Sequence, residues 1–136
     1  MDFLKFSLAG LDDFAVYFGL SLGFVALYLA IYVRVTPYRE IALIREGNAA
    51  AAASLSGSLI GFVLPLASAV TNSVNPWDMA LWAAIALVVQ LLAYFAVRLL
   101  VPDVGRQIPD GKLAAGLFLG ATSLAAGILN AACMTY

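Results

Sequence analysis

Charges punctuate this chain sparsely, and the gaps between them are long. Phe14 to Val33 carries no charge, nor do Gly47 to Trp77, Met79 to Val97 or Leu113 to Tyr136. A helix needs about 20 apolar residues to cross a hydrocarbon layer about 30 Å thick. Each stretch meets that length, so the pattern predicts an all-α membrane protein of four transmembrane helices. Strands are disfavoured, because a membrane barrel shows alternating segments of roughly ten residues.

The breaks between the spans carry helix-end chemistry. Asn75-Pro76-Trp77-Asp78 reads as an N-cap, a proline at the first helical position and an acid in the first turn. Thr36-Pro37 and Val101-Pro102 read as helix exits, since proline disfavours helical backbone in the residue before it. Asp12-Asp13 is expected to cap the first span, and Asp110 to cap the fourth or face its dipole. Residues 1–11 read as a segment lying along the interface. The first span resembles a signal peptide only superficially. Its flank holds one Lys and three acids, its apolar run is long, and no small-residue cleavage site follows, so it is expected to be retained.

Orientation follows from Lys and Arg. The first long break holds Arg34, Arg39 and Arg45, and the second holds Arg98, Arg106 and Lys112, against Lys5 alone on the other side. The positive-inside bias places both breaks in the cytoplasm and both termini outside, with Trp77 and Trp82 in an outer aromatic belt.

A shift of 64 positions brings two halves into register without a gap between the breaks. Val33-Arg34 falls on Val97-Arg98, Glu46-Gly47 on Asp110-Gly111, Leu55 on Leu119 and Ser58 on Thr122. The chain therefore reads as one membrane domain, 1–136, made of two helical hairpins, 12–72 and 76–136. Each has two spans, so both copies share one orientation. That is a parallel repeat rather than the inverted repeat of alternating-access transporters.

Composition then narrows the function classes. The 136 residues are 64% hydrophobic and 11% charged, too few charges for a water-solvated surface. A net charge of -1 argues against nucleic acid as a partner. The chain has no His and a single Cys, Cys133, which excludes the commonest base near neutral pH, an intrachain disulfide and a Cys-rich metal site. No phosphate-binding loop or nucleophilic triad appears. The acids all lie at span ends, where water is expected to reach them, so no proton relay through the membrane is expected. The chain is read as non-enzymatic and without cofactor or metal.

Small residues suggest how the spans pack, since lipid gives helices little hydrophobic reason to associate. Gly19-x-x-x-Gly23 lies in the first span. Ala53, Gly57 and Gly61 followed by Pro65 lie in the second, and Gly116-x-x-x-Gly120, with Ser123, Gly127 and Ala131, in the fourth. These stripes suit close approach within a bundle or between protomers. Intramembrane polar positions are Gln90, Asn130, Ser54, Ser58 and Thr122. Gln90 suits either a polar path or an interhelical hydrogen bond, and the hydroxyls can bond their own backbone. Arg34, Arg98, Glu46 and Asp110 form a candidate cytoplasmic charge cluster, read equally as an ion-pair ring or as snorkelling topology signals.

IALVVQLLAYFAVRLLVP at 85–102, VTPYRE at 35–40, SLSGSLIGFVLPLASA at 54–69 and the ending GILNAACMTY at 127–136 resemble the YjfL-type bacterial inner-membrane proteins. The resemblance implies a four-span protein with a doubled domain in a bacterial inner membrane, and no cofactor or catalytic residue. It makes Asn130, Ala131, Ala132 and Cys133 part of the family's closing motif. The functional expectation is a small structural or accessory subunit of a membrane complex, with lipid and a second copy or membrane partner around it. The alternative is a homo-oligomeric channel or transporter for a small solute. A lipid-modifying enzyme using Glu46 and Asp110 ranks last.

Overall fold

The computed structural model describes residues 2–134, and among these six helices and no strand occur. Four are long: α1 (Asp2–Val35), α3 (Ala49–Asn72), α4 (Pro76–Leu100) and α6 (Leu113–Cys133). Each is long and apolar enough to cross a membrane. Two short helices, α2 (Glu40–Arg45) and α5 (Val104–Gln107), occupy the two charged breaks. The expected all-α, four-span class is the observed one.

Helix ends follow the local chemistry in part. The Asn75 side chain accepts from the Asp78 amide at 2.9 Å, Pro76 stands at the first helical position, and the Asp78 carboxylate accepts from Val74 N at 3.2 Å. α1 stops at Val35 before Thr36-Pro37, and α4 stops at Leu100 before Val101-Pro102. Two expected caps are not formed. Asp12 and Asp13 lie inside α1, because FLKFSLAGL upstream holds strong helix formers and no proline, so nothing ends the helix there. Residues 2–11 therefore continue α1 rather than form a separate interfacial segment. Asp110 precedes α6 by too much to cap it, and Lys112 occupies the N-cap with no side-chain bond.

At 34 residues α1 is about 51 Å long, well beyond a hydrocarbon layer of about 30 Å. From Tyr17 onward it packs against the bundle, and residues 3–16 are exposed. Phe3, Phe6, Leu8, Leu11 and Phe14 are all exposed.

The most extensive contact in the fold is α3 against α6; α4 covers both and α1 touches α3 and α4. At one end of the bundle the two short-helix loops are stitched together. Asn48 caps α3 by accepting from Ala51 N at 2.9 Å, and its amide donates to the carbonyls of Ile108 and Pro109 at 2.9 and 3.2 Å. Asn48→Ala is expected to lower stability by about 1–2 kcal/mol in detergent unfolding, the usual effect of losing a cap together with side-chain bonds. Asn48→Asp keeps the cap acceptor but loses both donors, so it too should destabilise. An Asp variant as stable as wild type would show that only the cap matters.

Both loops end in the same turn. Gly47 and Gly111 have φ of 87° and 79°, backbone that side chains with a Cβ rarely adopt. Gly47 N donates to Ile44 O and Asn48 N to Leu43 O, both at 2.9 Å; Gly111 N donates to Ile108 O at 3.0 Å and Lys112 N to Gln107 O at 2.9 Å. These pairs are related by the 64-residue shift.

Candidate functional site

The α3–α6 seam is built from missing side chains. A Cβ on Gly57 would fall within the backbone of Gly120, and one on Gly120 would strike the Ala53 carbonyl. A Cβ on Gly61 would meet Ser123 O, one on Gly116 would meet Ala50, and one on Gly127 would meet Gly61. Four-residue spacing puts these glycines on one helix face, so two backbones meet along their length and no passage runs between them. Ser58 donates to Ser123 Oγ at 3.2 Å across the same seam.

Pro65 lies inside α3 and is buried. It has no N–H, so the Gly61 carbonyl one turn earlier loses its helical donor. Gln90 of α4 supplies one. Its Nε2 donates to Gly61 O and to Ser123 O, both at 3.0 Å. One amide thus satisfies the carbonyl that proline orphans and fastens α4 across the α3–α6 pair. A neighbouring helix repairing a proline break in this way is what makes such a break tolerable in lipid.

A second polar group lies nearer the loops. Tyr28 and Tyr32 of α1 are one turn apart, and their rings are 5.7 Å from centre to centre. Tyr28 stacks on Phe62 of α3 at 4.6 Å, and Tyr32 meets Tyr94 of α4 edge-on at 5.7 Å. Tyr38 lies within electrostatic reach of Tyr94 and Glu40, and its hydroxyl approaches Ser54 without closing a hydrogen bond. Tyr28, Tyr32, Tyr94 and Glu40 have no exposed surface, and Tyr38 retains 7%. Thr36 donates to Glu40 Oε1, but Oε2 has no partner, and neither do the four tyrosine hydroxyls. Ser58 faces the Tyr28 and Tyr32 hydroxyls without closing a hydrogen bond to either. Burial pushes the Glu40 carboxyl above the usual carboxylate range, with the Thr36 hydroxyl partly offsetting it. It likewise raises the Tyr38 phenol, helped by Tyr94 and Glu40 nearby. An unpaired buried polar group typically costs about 1–3 kcal/mol. Several gathered near the loop end of the bundle make it the candidate site.

The family model described as Domain of Unknown Function (DUF350) matches residues 6–134. The chain belongs to the DUF350 family. It is 45% identical over 123 residues to the inner membrane protein YjfL of Escherichia coli K12, covering 90% of this chain and 93% of that one. The YjfL of Escherichia coli O157:H7 matches equally. The transmembrane protein YshE of Bacillus subtilis strain 168 is 24% identical over 108 residues, covering 78% of this chain and 81% of that one. No solved structure matches. The chain is thus an integral membrane protein of the DUF350 family.

The residues singled out in this DUF350 chain fall into separate places. Ser58 and Gln90 sit at the seam, and Ser54 donates to Ala51 O of its own helix at 3.0 Å. Thr122 is half-buried next to Ser123. Asn130 is half-buried with its Nδ2 buried and unpartnered. Cys133 is exposed, and Thr135 and Tyr136 of the closing motif lie outside the described residues. Gly57, Gly61, Gly116, Gly120 and Gly127 form the seam, whereas Gly19 and Gly23 have open space where a Cβ would be. Arg34, Arg98, Glu46 and Asp110 are exposed, and no ion pair joins them among the described residues.

Glu40, the first residue of α2, differs from the expectation that every acid is solvated, because α2 packs against α3 and Glu40 keeps no exposed surface. The tyrosine group was not singled out from the sequence. Its signal is the Tyr28-x-x-x-Tyr32 spacing, which puts two phenols on one face deep in a span.

Proposed function

We propose that this chain is a small, non-catalytic structural or accessory subunit of a bacterial inner-membrane assembly that associates with a second copy of itself. The observation that carries this reading is the division of its glycines. Those of α3 and α6 are consumed by the internal seam, while Gly19 and Gly23 of α1 stay open on the face of that helix turned away from the bundle. Small residues let helices approach in lipid, and an open pair on an outward helix face suits a second copy. The basic loops lie on the cytoplasmic side in this reading, with both termini outside. The equal turns at Gly47 and Gly111 support descent of the two hairpins, 12–72 and 76–136, from one ancestor.

Subunit counting by single-molecule photobleaching in nanodiscs tests it. A dimer or higher oligomer is expected for wild type, shifting towards monomer in a Gly19→Leu, Gly23→Leu double variant. A wild-type protein that stays monomeric in nanodiscs and purifies from mild detergent without a stoichiometric partner contradicts the reading.

A channel or transporter for a small solute is the second reading, favoured by the run of buried polar groups from Glu40 through the tyrosines to Ser58, Ser123 and Gln90. It ranks second because the seam is closed backbone to backbone. Solute flux into proteoliposomes that exceeds protein-free vesicles and falls in Gln90→Leu and Asn130→Leu would promote it.

A further inference from the structure

Glu40 is a carboxylate with no exposed surface and no cation paired with it. Thr36 occupies Oε1, Oε2 is unpaired, and no Lys or Arg stands among the groups that act on it. A buried carboxylate needs a positive partner or a proton. Arg39, next in sequence, is exposed, and so is Arg98, which approaches the Tyr94 hydroxyl without closing a bond to it.

The polar groups around Glu40 are oxygens. Tyr38, Tyr94 and Tyr32 all lie within its electrostatic reach, and each hydroxyl is buried and unpartnered. A proton on Oε2 would neutralise the carboxylate and serve one of these oxygens. A metal cation would neutralise it and serve several at once, and oxygen-only surroundings suit hard cations. One carboxylate balances one positive charge. No group of three or more metal-binding His, Cys, Asp or Glu exists among the described residues, whereas a divalent ion usually gathers more than one such ligand. The Tyr32 and Tyr94 rings pack edge-on with centres 5.7 Å apart, which leaves no room between them for an organic body. A shallow surface groove of about 280 Å³, lined by Val33, Arg39, Glu40, Ile41 and Ala42, offers an approach from the loop end.

We propose that Glu40 Oε2 and the hydroxyls of Tyr38, Tyr94 and Tyr32 bind a single alkali metal cation at the loop end of the bundle. The ion links α1, α2 and α4, three elements that share few other polar contacts. This holds whether the chain is a subunit or a transporter, because it concerns a resident ion and requires no transport.

The test is thermal unfolding of the purified full-length protein in detergent, followed by tyrosine absorbance. Sodium, potassium and N-methylglucamine chlorides are compared at constant ionic strength. A saturable rise in Tm with sodium or potassium, absent with N-methylglucamine, is expected. Glu40→Gln should abolish it, and Tyr94→Phe, which keeps the ring, should weaken the apparent affinity about tenfold. Indifference of the wild type to alkali ions overturns the proposal, as does an unchanged response in Glu40→Gln. A Tm that follows pH but no alkali ion places a proton on Glu40 and also overturns it. So does an ion-indifferent protein in which Arg98→Gln matches Glu40→Gln in its loss of stability, since Arg98 would then be the partner. If Glu40→Gln does not fold, an unaltered ion response in Tyr94→Phe and Tyr32→Phe is the overturning result.

Discussion

Gly57→Leu should prevent the four spans from assembling, while Gly19→Leu should leave the protomer's stability unchanged. Both glycines look alike in sequence, each in an apolar span with a partner glycine four residues on. They differ in what a side chain would meet. At Gly57 it would enter the Gly120 backbone, and α3 and α6 can only part to admit it. Overpacking a core typically costs about 1–3 kcal/mol when side chains can yield, and here backbone would have to move. Because α3–α6 is the largest contact in the fold, separating it removes the surface on which α4 rests. A loss above about 3 kcal/mol is therefore expected, against less than about 0.5 kcal/mol at open positions such as Gly19. Reversible unfolding in mixed micelles checks both. Equal stability of the two variants would show that the seam does not hold the bundle together.

Gln90→Leu should cost about 1–3 kcal/mol, and the cost should shrink to that of an ordinary interhelical bond when Pro65→Ala is also present. The usual interhelical hydrogen bond in a membrane averages about 0.6 kcal/mol, because its groups also find partners in the unfolded state. Gly61 O lacks one, since residue 65 is proline. Removing Gln90 strands that carbonyl in an apolar setting. Restoring an N–H at position 65 returns its helical donor and leaves Gln90 only its ordinary interhelical bond to Ser123 O. A double-mutant cycle reads the coupling directly. Additive effects would mean that Gln90 acts only as a generic contact and that the proline break is satisfied another way.

Several features of the fold were legible because they depend on neighbours in sequence. The spans follow from the spacing of charges, and the α4 start follows from Asn75, Pro76 and Asp78, each acting within four residues. The small-residue faces of α3 and α6 were also visible, since four-residue periodicity is a property of one helix. What was not legible depends on several elements at once. No local rule distinguishes Gly57, which meets Gly120, from Gly19, which meets nothing. Gln90 was recognisable as a polar residue in a span, yet its role depends on a proline in another helix. Glu40 reads as a solvated acid at a span end until the fold buries the start of α2 and brings Tyr32 of α1 and Tyr94 of α4 near it and Tyr38. Asp12 and Asp13 misled for the opposite reason. An acid pair before an apolar run is a good cap signal, but the residues upstream are helix formers too, and α1 runs through.

The arrangement of the spans is tested most directly by labelling single cysteines in a Cys133→Ser background. Arg45→Cys and Arg106→Cys place exposed thiols in the two basic loops, and Trp77→Cys places one at the opposite end. A membrane-impermeant maleimide should reach positions 45 and 106 only in inverted vesicles and position 77 only in intact spheroplasts. Labelling of positions 45 and 106 from opposite faces would contradict the four-span account.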